Sequence, residues 1–357
     1  MQKQPQNSPQ SLAHVRPGRR NLITDIDGLT VGHAVDEKAR TGVSVIVPAQ
    51  PATAACSVPG GGPGTRETDA LRPANLVEAV DAVTLAGGSV YGLDAASGVT
   101  AALAAEGRGF QTGAPIPSPI VPAAILFDVA NGGDKQWGMT PPYRQLGIDA
   151  YGAAATDFAL GNAGAGYGAM AGTLKGGLGS ASAHLPDGCM VGALIAANPV
   201  GSVVDGSGRF WAQPLAAQSA DGLEFGHPHL ATQAAEASGQ HPLSGTKLGG
   251  LAAAANTSIG VVATDADLTK AEAQRVAIMA QDGLARAVRP IHTPFDGDAI
   301  FVLATAARAL SETPAQRPID LAILGAMAAD CVARSVARAV WLAEDLHAAK
   351  AYRSIFG

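Results

Sequence analysis

The 357-residue chain is 47% hydrophobic, 15% charged and 4% aromatic, with 44 glycines, a mix that builds a large packed core and excludes a disordered chain, a coiled coil or a collagen. Residues 1–20 hold Lys3, Arg16, Arg19 and Arg20 and no acid, which leaves a net −10 on the rest; an acidic body is a poor partner for a phosphate backbone, so no nucleic acid is expected. Three cysteines (Cys56, Cys189, Cys331) without CxxC spacing exclude a disulfide framework and a zinc cage and fit a reducing compartment.

In chain order, residues 1–20 read as a disordered tail rich in Gln, Pro and Ser, with a single domain over 21–357. No apolar core of signal-peptide length opens the chain and no run of about 18 apolar residues follows, so a cytoplasmic protein without a membrane span is expected. Thr24–Gly28 into Leu29–His33 reads as strand-turn-strand, and the β-branched run Val43–Val47 as a buried strand. Ser57–Gly64 (SVPGGGPG) is a loop. Helical patterns are expected over Pro73–Leu85, Leu93–Glu106 and residues 149–160. Met190–Ala197 and Val200–Asp205 read as strands flanking Asn198-Pro199, and 206–255 gives no clear element. Ser258–Thr264 (SIGVVAT) is a strand, and Thr269-Lys-Ala-Glu272 is a capping box that opens a helix to Val288. Asp296-Gly-Asp298 precedes the strand Ala299–Thr305, and Ile319–His347 is a long Ala-rich helix.

Several motifs point nowhere catalytic. Gly164-Ala-Gly166-Tyr-Gly168 has GxGxG spacing behind a helical pattern rather than GxGxxG behind a strand, so no nucleotide cofactor is expected and close backbone packing explains the glycines. His227-Pro-His229 offers two imidazoles without a third ligand pattern, so no metal is expected. Cys189 and Cys331 lie in apolar surroundings, and no GxSxG elbow is present.

Asn256-Thr257 differs from these, because it joins a small-residue loop directly to a buried strand. A hydroxyl there can attack the preceding carbonyl, move the acyl group from nitrogen to oxygen, and let water cut the chain. The freed α-amine of Thr257, with a reference pKa of about 7.7–8.0, could then act as base for its own hydroxyl. From the dipeptide alone, a plain turn into a strand is the better explanation, since Asn-Thr pairs are common.

Five segments carry a resemblance: Gly60-Gly-Gly-Pro-Gly-Thr-Arg-Glu-Thr68, Leu85-Ala-Gly-Gly-Ser-Val-Tyr-Gly-Leu-Asp94, Ala196-Ala-Asn-Pro-Val-Gly201, Asn256-Thr-Ser-Ile-Gly-Val-Val-Ala-Thr264 and Pro290-Ile-His-Thr-Pro-Phe-Asp-Gly-Asp298. In this order the chain resembles the self-cleaving L-aminopeptidase/D-esterases, a family that includes β-peptidyl aminopeptidases and nylon-oligomer endohydrolases. The resemblance implies an α+β, four-layer αββα sandwich of the amino-terminal-nucleophile type. It also implies self-cleavage into an α chain of 1–256 and a β chain of 257–357, assembled as a homo-oligomer, with a tetramer favoured. By the same resemblance, Thr257 is the nucleophile and Asn198 the oxyanion donor. Lys175 stands near the nucleophile, and Asp296 with Asp298 orients the new amino terminus. The implied substrates are short peptides, amides or esters; the alternative is internal cutting of 6-aminohexanoate oligomers. One oxyanion site is expected to serve both self-cleavage and turnover. Phe127 stands where some relatives carry a tyrosine, and 130–147 lacks the acidic amine-binding segment of the β-aminopeptidases.

Overall fold

The computed structural model describes residues 16–185, 188–219, 222–226, 243–250 and 256–357. Its first half supplies strands β1 (Leu29–Asp36), β2 (Thr41–Pro48), β3 (Ala52–Ser57), β4 (Thr65–Arg66), β5 (Ala79–Val80), β6 (Val83–Ala86) and β7 (Ala123–Ile125), with helices α1 (Asp94–Ala105) and α2 (Tyr143–Gly152). Next come a short hairpin, β8 (Met170–Ala171) and β9 (Leu174–Lys175), and the long strands β10 (Gly177–His184) and β11 (Met190–Asn198). A second hairpin, β12 (Gln218–Ser219) and β13 (Gly222–Leu223), precedes β14 (Thr257–Ala266), α3 (Lys270–Ala287), β15 (Ala299–Arg308) and α4 (Arg317–Trp341).

Side-chain alternation along the strands sorts these elements into layers. One sheet runs β1-β2-β6-β7-β4 and the other β10-β11-β14-β15-β3-β5. On β2, Val43, Val45 and Val47 pack against Ala95, Val99, Leu103 and Leu146 of α1 and α2. Ile46 of the same strand faces the other way, meeting Leu194, Ile259, Val261 and Phe301 between the sheets. Val262 of β14 turns from that middle core to the outer one, where Val276, Leu284, Val332 and Val336 of α3 and α4 cover the second sheet. Three apolar interfaces therefore separate four layers, helix, sheet, sheet and helix, as expected. Truncating a residue such as Phe301, which is 0% exposed in the middle core, costs about 3–5 kcal/mol.

Helix α3 starts where the capping box places it: Glu272 N donates to Thr269 Oγ at 3.3 Å and Thr269 N donates back to Glu272 Oε2 at 2.9 Å. Arg317, at the start of α4, donates to both oxygens of Glu272 at 2.6 and 2.9 Å and so ties the two outer helices together.

The structure corrects several expectations. Residues 16–20 belong to the folded body: His184 N donates to the Arg16 carbonyl at 2.9 Å, and Gly18 N donates to Ser182 Oγ at 3.1 Å. Thr24 lies in a 3-10 turn, Ile23–Asp25, rather than in a strand. Pro73–Leu85 is not helical but leads into β5 and β6. Val83, Thr84 and Leu85 of β6 are all 0% exposed, so both faces of that strand are buried and it shows no alternation for a periodicity argument to find. The helix expected over 149–160 is instead α2, which starts just after Pro142. Val200–Asp205 forms isolated bridges, Ser202 with Arg289 and Val204 with Phe210, rather than a strand. His227 and His229 lie outside the described residues.

Candidate active site

β11 and β14 pair antiparallel, and their register sets Asn198 directly opposite Thr257. Both are buried, at 1% and 3% exposure, as is Asn256 at 1%. The Thr257 hydroxyl donates to the carbonyl oxygen of Asn256, the peptide group it immediately follows. Asn198 ends its strand because Pro199 has no N–H to continue the ladder. Its side chain is held at every polar atom. Met170 N donates to Oδ1 at 2.9 Å, and the Asn198 amide donates to the Phe127 carbonyl at 3.1 Å.

The acidic pair lies on the turn that precedes β15, and each carboxylate is fully buried. Asp296 accepts from Thr293 N at 3.0 Å, Thr293 Oγ at 2.7 Å and Val200 N at 3.0 Å. Asp298 accepts from Ser258 N at 2.7 Å and meets His292 Nδ1 at 2.8 Å. Burial, reinforced by the charge of Asp296, pushes the Asp298 carboxyl upward, while His292 and the Ser258 N–H oppose the shift. The pair thus anchors Ser258, next to Thr257 on β14, and Val200, two residues beyond Asn198. The glycine run of the first motif covers this turn. Gly62 N donates to the Asp296 carbonyl at 2.8 Å, and a Cβ on Gly60 would stand 2.3 Å from Asp298 N.

Two lysines enter the site. Lys175, opposite Met170 in the β8–β9 hairpin, is 1% exposed and donates to the carbonyls of Gly166 at 3.2 Å and Gly176 at 2.7 Å. Burial brings its ammonium down to about 7, with Asp128 pulling the other way, so it is a titrating amine near neutrality rather than a fixed cation. Lys247 was not foreseen from the sequence. Its Nζ donates to the backbone and side-chain oxygens of Asn198 at 3.1 and 3.0 Å. Desolvation lowers it to about 7 as well, with Asp296 opposing. It lies in a stretch without hydrophobic periodicity; the one signal was a lysine shortly before Asn256-Thr257. His292 was inside a quoted motif but had no assigned role.

A cleft of about 160 Å³ opens on this group between Phe127, Asp128, Asn198, Lys247 and Asn256. It shares Ala130, Asn131, Gly168 and Met170 with an adjoining cavity of about 290 Å³ that reaches Arg40 and Lys175. Asp128 is pushed up to about 6 by burial, against hydrogen bonds from Thr41 Oγ and Gly88 N at 2.7 Å each. A wider pocket of about 550 Å³ at the edge strand β5, beside Leu76 and Phe110, brings no such set of groups together. Gly166 packs against the start of β10, where a Cβ would stand 2.2 Å from Leu178 N. Cys331 is fully buried and its thiol is pushed up to about 12.

A hydroxyl lying on the Asn256 carbonyl, a side-chain amide opposite it across the strand pair and a buried lysine bonded to that amide form a set suited to acyl transfer. The sequence profile of peptidase family S58 matches residues 21–353. The chain belongs to peptidase family S58. This S58 peptidase is 42% identical over 354 residues to an uncharacterised aminopeptidase of Mycobacterium tuberculosis, covering 94% of this chain and 98% of the relative. It is 30% identical over 338 residues to a 6-aminohexanoate-oligomer endohydrolase of a Kocuria species, covering 91% and 88%. Among solved structures, a β-aminopeptidase from a Burkholderia species matches with a TM-score of 0.65 at 23% identity, over 94% of this chain and 90% of the other. The L-aminopeptidase D-Ala-esterase/amidase of Ochrobactrum anthropi, described as a variant of the Ntn hydrolase fold, matches with a TM-score of 0.63 at 20% identity, over 93% and 88%. These two share the fold. The protein is a hydrolase of amide bonds. No described helix is long and apolar enough to cross a membrane.

Proposed function

We propose that this S58 peptidase matures by cutting itself between Asn256 and Thr257 and then hydrolyses short peptides, amides or esters through an acyl-enzyme on Thr257. The observation that carries the reading is the Thr257 hydroxyl lying on the carbonyl of the residue before it, at the buried start of β14. In maturation the Oγ–C bond forms and the C–N bond breaks, with the hydroxyl proton passing to the Thr257 nitrogen. Water then forms a C–O bond and breaks C–Oγ, leaving the Asn256 carboxylate and a free α-amine. In turnover that amine takes the Thr257 proton and returns it to the leaving amine, while the Asn198 amide stabilises the oxyanion, a contribution of roughly 3–4 kcal/mol in comparable sites. Asp296 and Asp298 orient the amino terminus through the backbone they hold. Lys175, titrating close to the amine's own range, tunes its protonation.

The kinship with the Kocuria enzyme favours a second substrate reading, internal cutting of 6-aminohexanoate oligomers by the same site. Hydrolysis of free-amine peptide amides but not of amino-blocked ones supports the first, and internal cutting of long oligomers the second. We also expect a cytoplasmic tetramer of αβ units, tested by light scattering. A denaturing gel with amino-terminal sequencing tests the core of the proposal. Two fragments, the smaller of 101 residues and beginning Thr-Ser-Ile-Gly, are expected; a fully active uncut chain would sink it, because an acylated nitrogen cannot act as the base.

A further inference from the structure

The carbonyl that self-cleavage must polarise does not face Asn198. Its oxygen accepts from Gly297 N at 2.8 Å, as well as from the Thr257 hydroxyl. Asn256 N in turn donates to the Phe295 carbonyl at 3.0 Å, so Asn256 forms a single parallel bridge with Asp296 that grips the peptide from both sides. The turn presenting Gly297 is rigid. Asp296 and Asp298 are tied to Thr293, Val200, Ser258 and His292, and Gly62 N closes it from above. Position 297 must be glycine for contact this close, since a Cβ there would stand 2.7 Å from the Gly62 carbonyl oxygen and 2.8 Å from Thr257 Oγ. Meanwhile the Asn198 amide nitrogen is engaged by the Phe127 carbonyl, and its oxygen by Met170 N and Lys247 Nζ.

Resting on the self-cleavage reading above, we infer that Gly297 N–H is the oxyanion donor of maturation, and that Asn198 serves only the later hydrolysis of substrates. As Thr257 Oγ attacks, the carbonyl π electrons move onto the Asn256 oxygen, and the N–H already aimed at it takes up the charge. Collapse breaks the C–N bond and leaves the ester. A backbone donor suits this step because it is fixed by the fold and needs no rearrangement when charge develops. Substrates come from the side of the cleft bordered by Asn198, Lys247 and Phe127, and there the side-chain amide becomes the donor. The two reactions share a nucleophile and divide their oxyanion sites, which replaces the single site expected from the sequence.

The test is Asn198→Asp, which keeps an acceptor for Met170 N and Lys247 Nζ and removes the NH₂ donor. Maturation, followed by gel and intact mass over time, should stay within about threefold of wild type, while kcat of the matured enzyme falls by about 10²–10³. Asn198→Leu, similar in volume and without a donor, repeats the comparison if the aspartate variant melts early. Maturation slowed in parallel with kcat in the folded variants overturns the division of labour and leaves the Thr257 mechanism standing. A wild-type chain that never cuts overturns both.

Discussion

Thr257 and Asn198 are cross-strand partners, one opening β14 and the other closing β11. Directly opposed residues in an antiparallel pair stand about 4.5–5.5 Å apart at Cα, so the strand pairing sets the spacing of the two backbones, and Met170, Phe127 and Lys247 orient the amide. Thr257→Ala should therefore leave the fold intact while abolishing both fragmentation and amide hydrolysis. Thr257→Ser should retain part of each, since it keeps the hydroxyl. An alanine variant that still yields two fragments on a gel places the nucleophile elsewhere.

Lys247→Met removes the two hydrogen bonds from Lys247 Nζ to the Asn198 oxygens and leaves the amide held by Met170 N and the Phe127 carbonyl alone. A misplaced donor affects the transition state more than substrate binding, so kcat should drop about tenfold or more with KM nearly unchanged. Steady-state kinetics on matured protein, paired with a thermal melt, check this. A rise in KM at constant kcat would instead mark Lys247 as a substrate-binding group.

Lys175 makes stability depend on pH in a stated direction. Its ammonium titrates at about 7 in the fold against 10.5 ordinarily. Below about pH 7 both folded and unfolded chains carry the charge, and the folded one bears the full burial cost, roughly 5 kcal/mol for such a shift. Between pH 7 and 10.5 the unfolded state holds more protons, so that cost fades as pH rises. Lys175→Met should thus gain most on its parent below pH 7, less whatever is lost at the Gly166 and Gly176 carbonyls, and the gain should shrink steadily toward pH 10. Denaturant melts in the uncut Thr257→Ala background measure it; a difference flat across pH contradicts the assignment.

Gly297→Ala pushes a methyl group against the Gly62 backbone and Thr257 Oγ. Overpacking of this kind costs about 1–3 kcal/mol, which a domain of this size survives. Maturation, however, should slow by at least about 10², because Oγ or the scissile carbonyl must shift. A time course of fragment appearance decides: maturation at wild-type speed would show that the turn yields and that the close approach is not required.

The legible parts of the sequence are those where local chemistry and tertiary structure agree. Thr269 and Glu272 cap α3 through contacts three residues apart, so the pattern needs no distant partner. Val43–Val47 and Ser258–Thr264 are β-branched runs that lie in long strands of the two sheets. By contrast, Val80 to Leu85 is buried on both faces and gave a helical reading, because continuous burial erases the period that tells strand from helix. The motif glycines Gly60 and Gly62 are plain in the sequence, but their reason is tertiary: they pack on the Asp296 turn. Lys247 was illegible for another reason: its meaning comes from folding back onto Asn198, and nothing in its neighbourhood along the chain reports that. Gly297 lies between two aspartates, and a backbone N–H leaves no mark in the residue pattern that their carboxylates do.

The order of the larger sheet has a kinetic consequence. β14 and β15 occupy its middle, flanked by β11 on one side and β3 on the other. A cut before Thr257 would assign the two central strands to one polypeptide and the outer strands on both sides to another. Neither piece could then complete the sheet alone, and each would expose unpaired strand edges until it met the other. Unfolding the mature protein would dissolve a heterodimer, so its recovery should be second order: slower on dilution and prone to strand-edge aggregation at high concentration. The uncut Thr257→Ala chain, with every strand on one tether, should refold at a rate independent of concentration. Maturation would in that sense be a one-way step, with the information for efficient refolding lost once the peptide bond is gone.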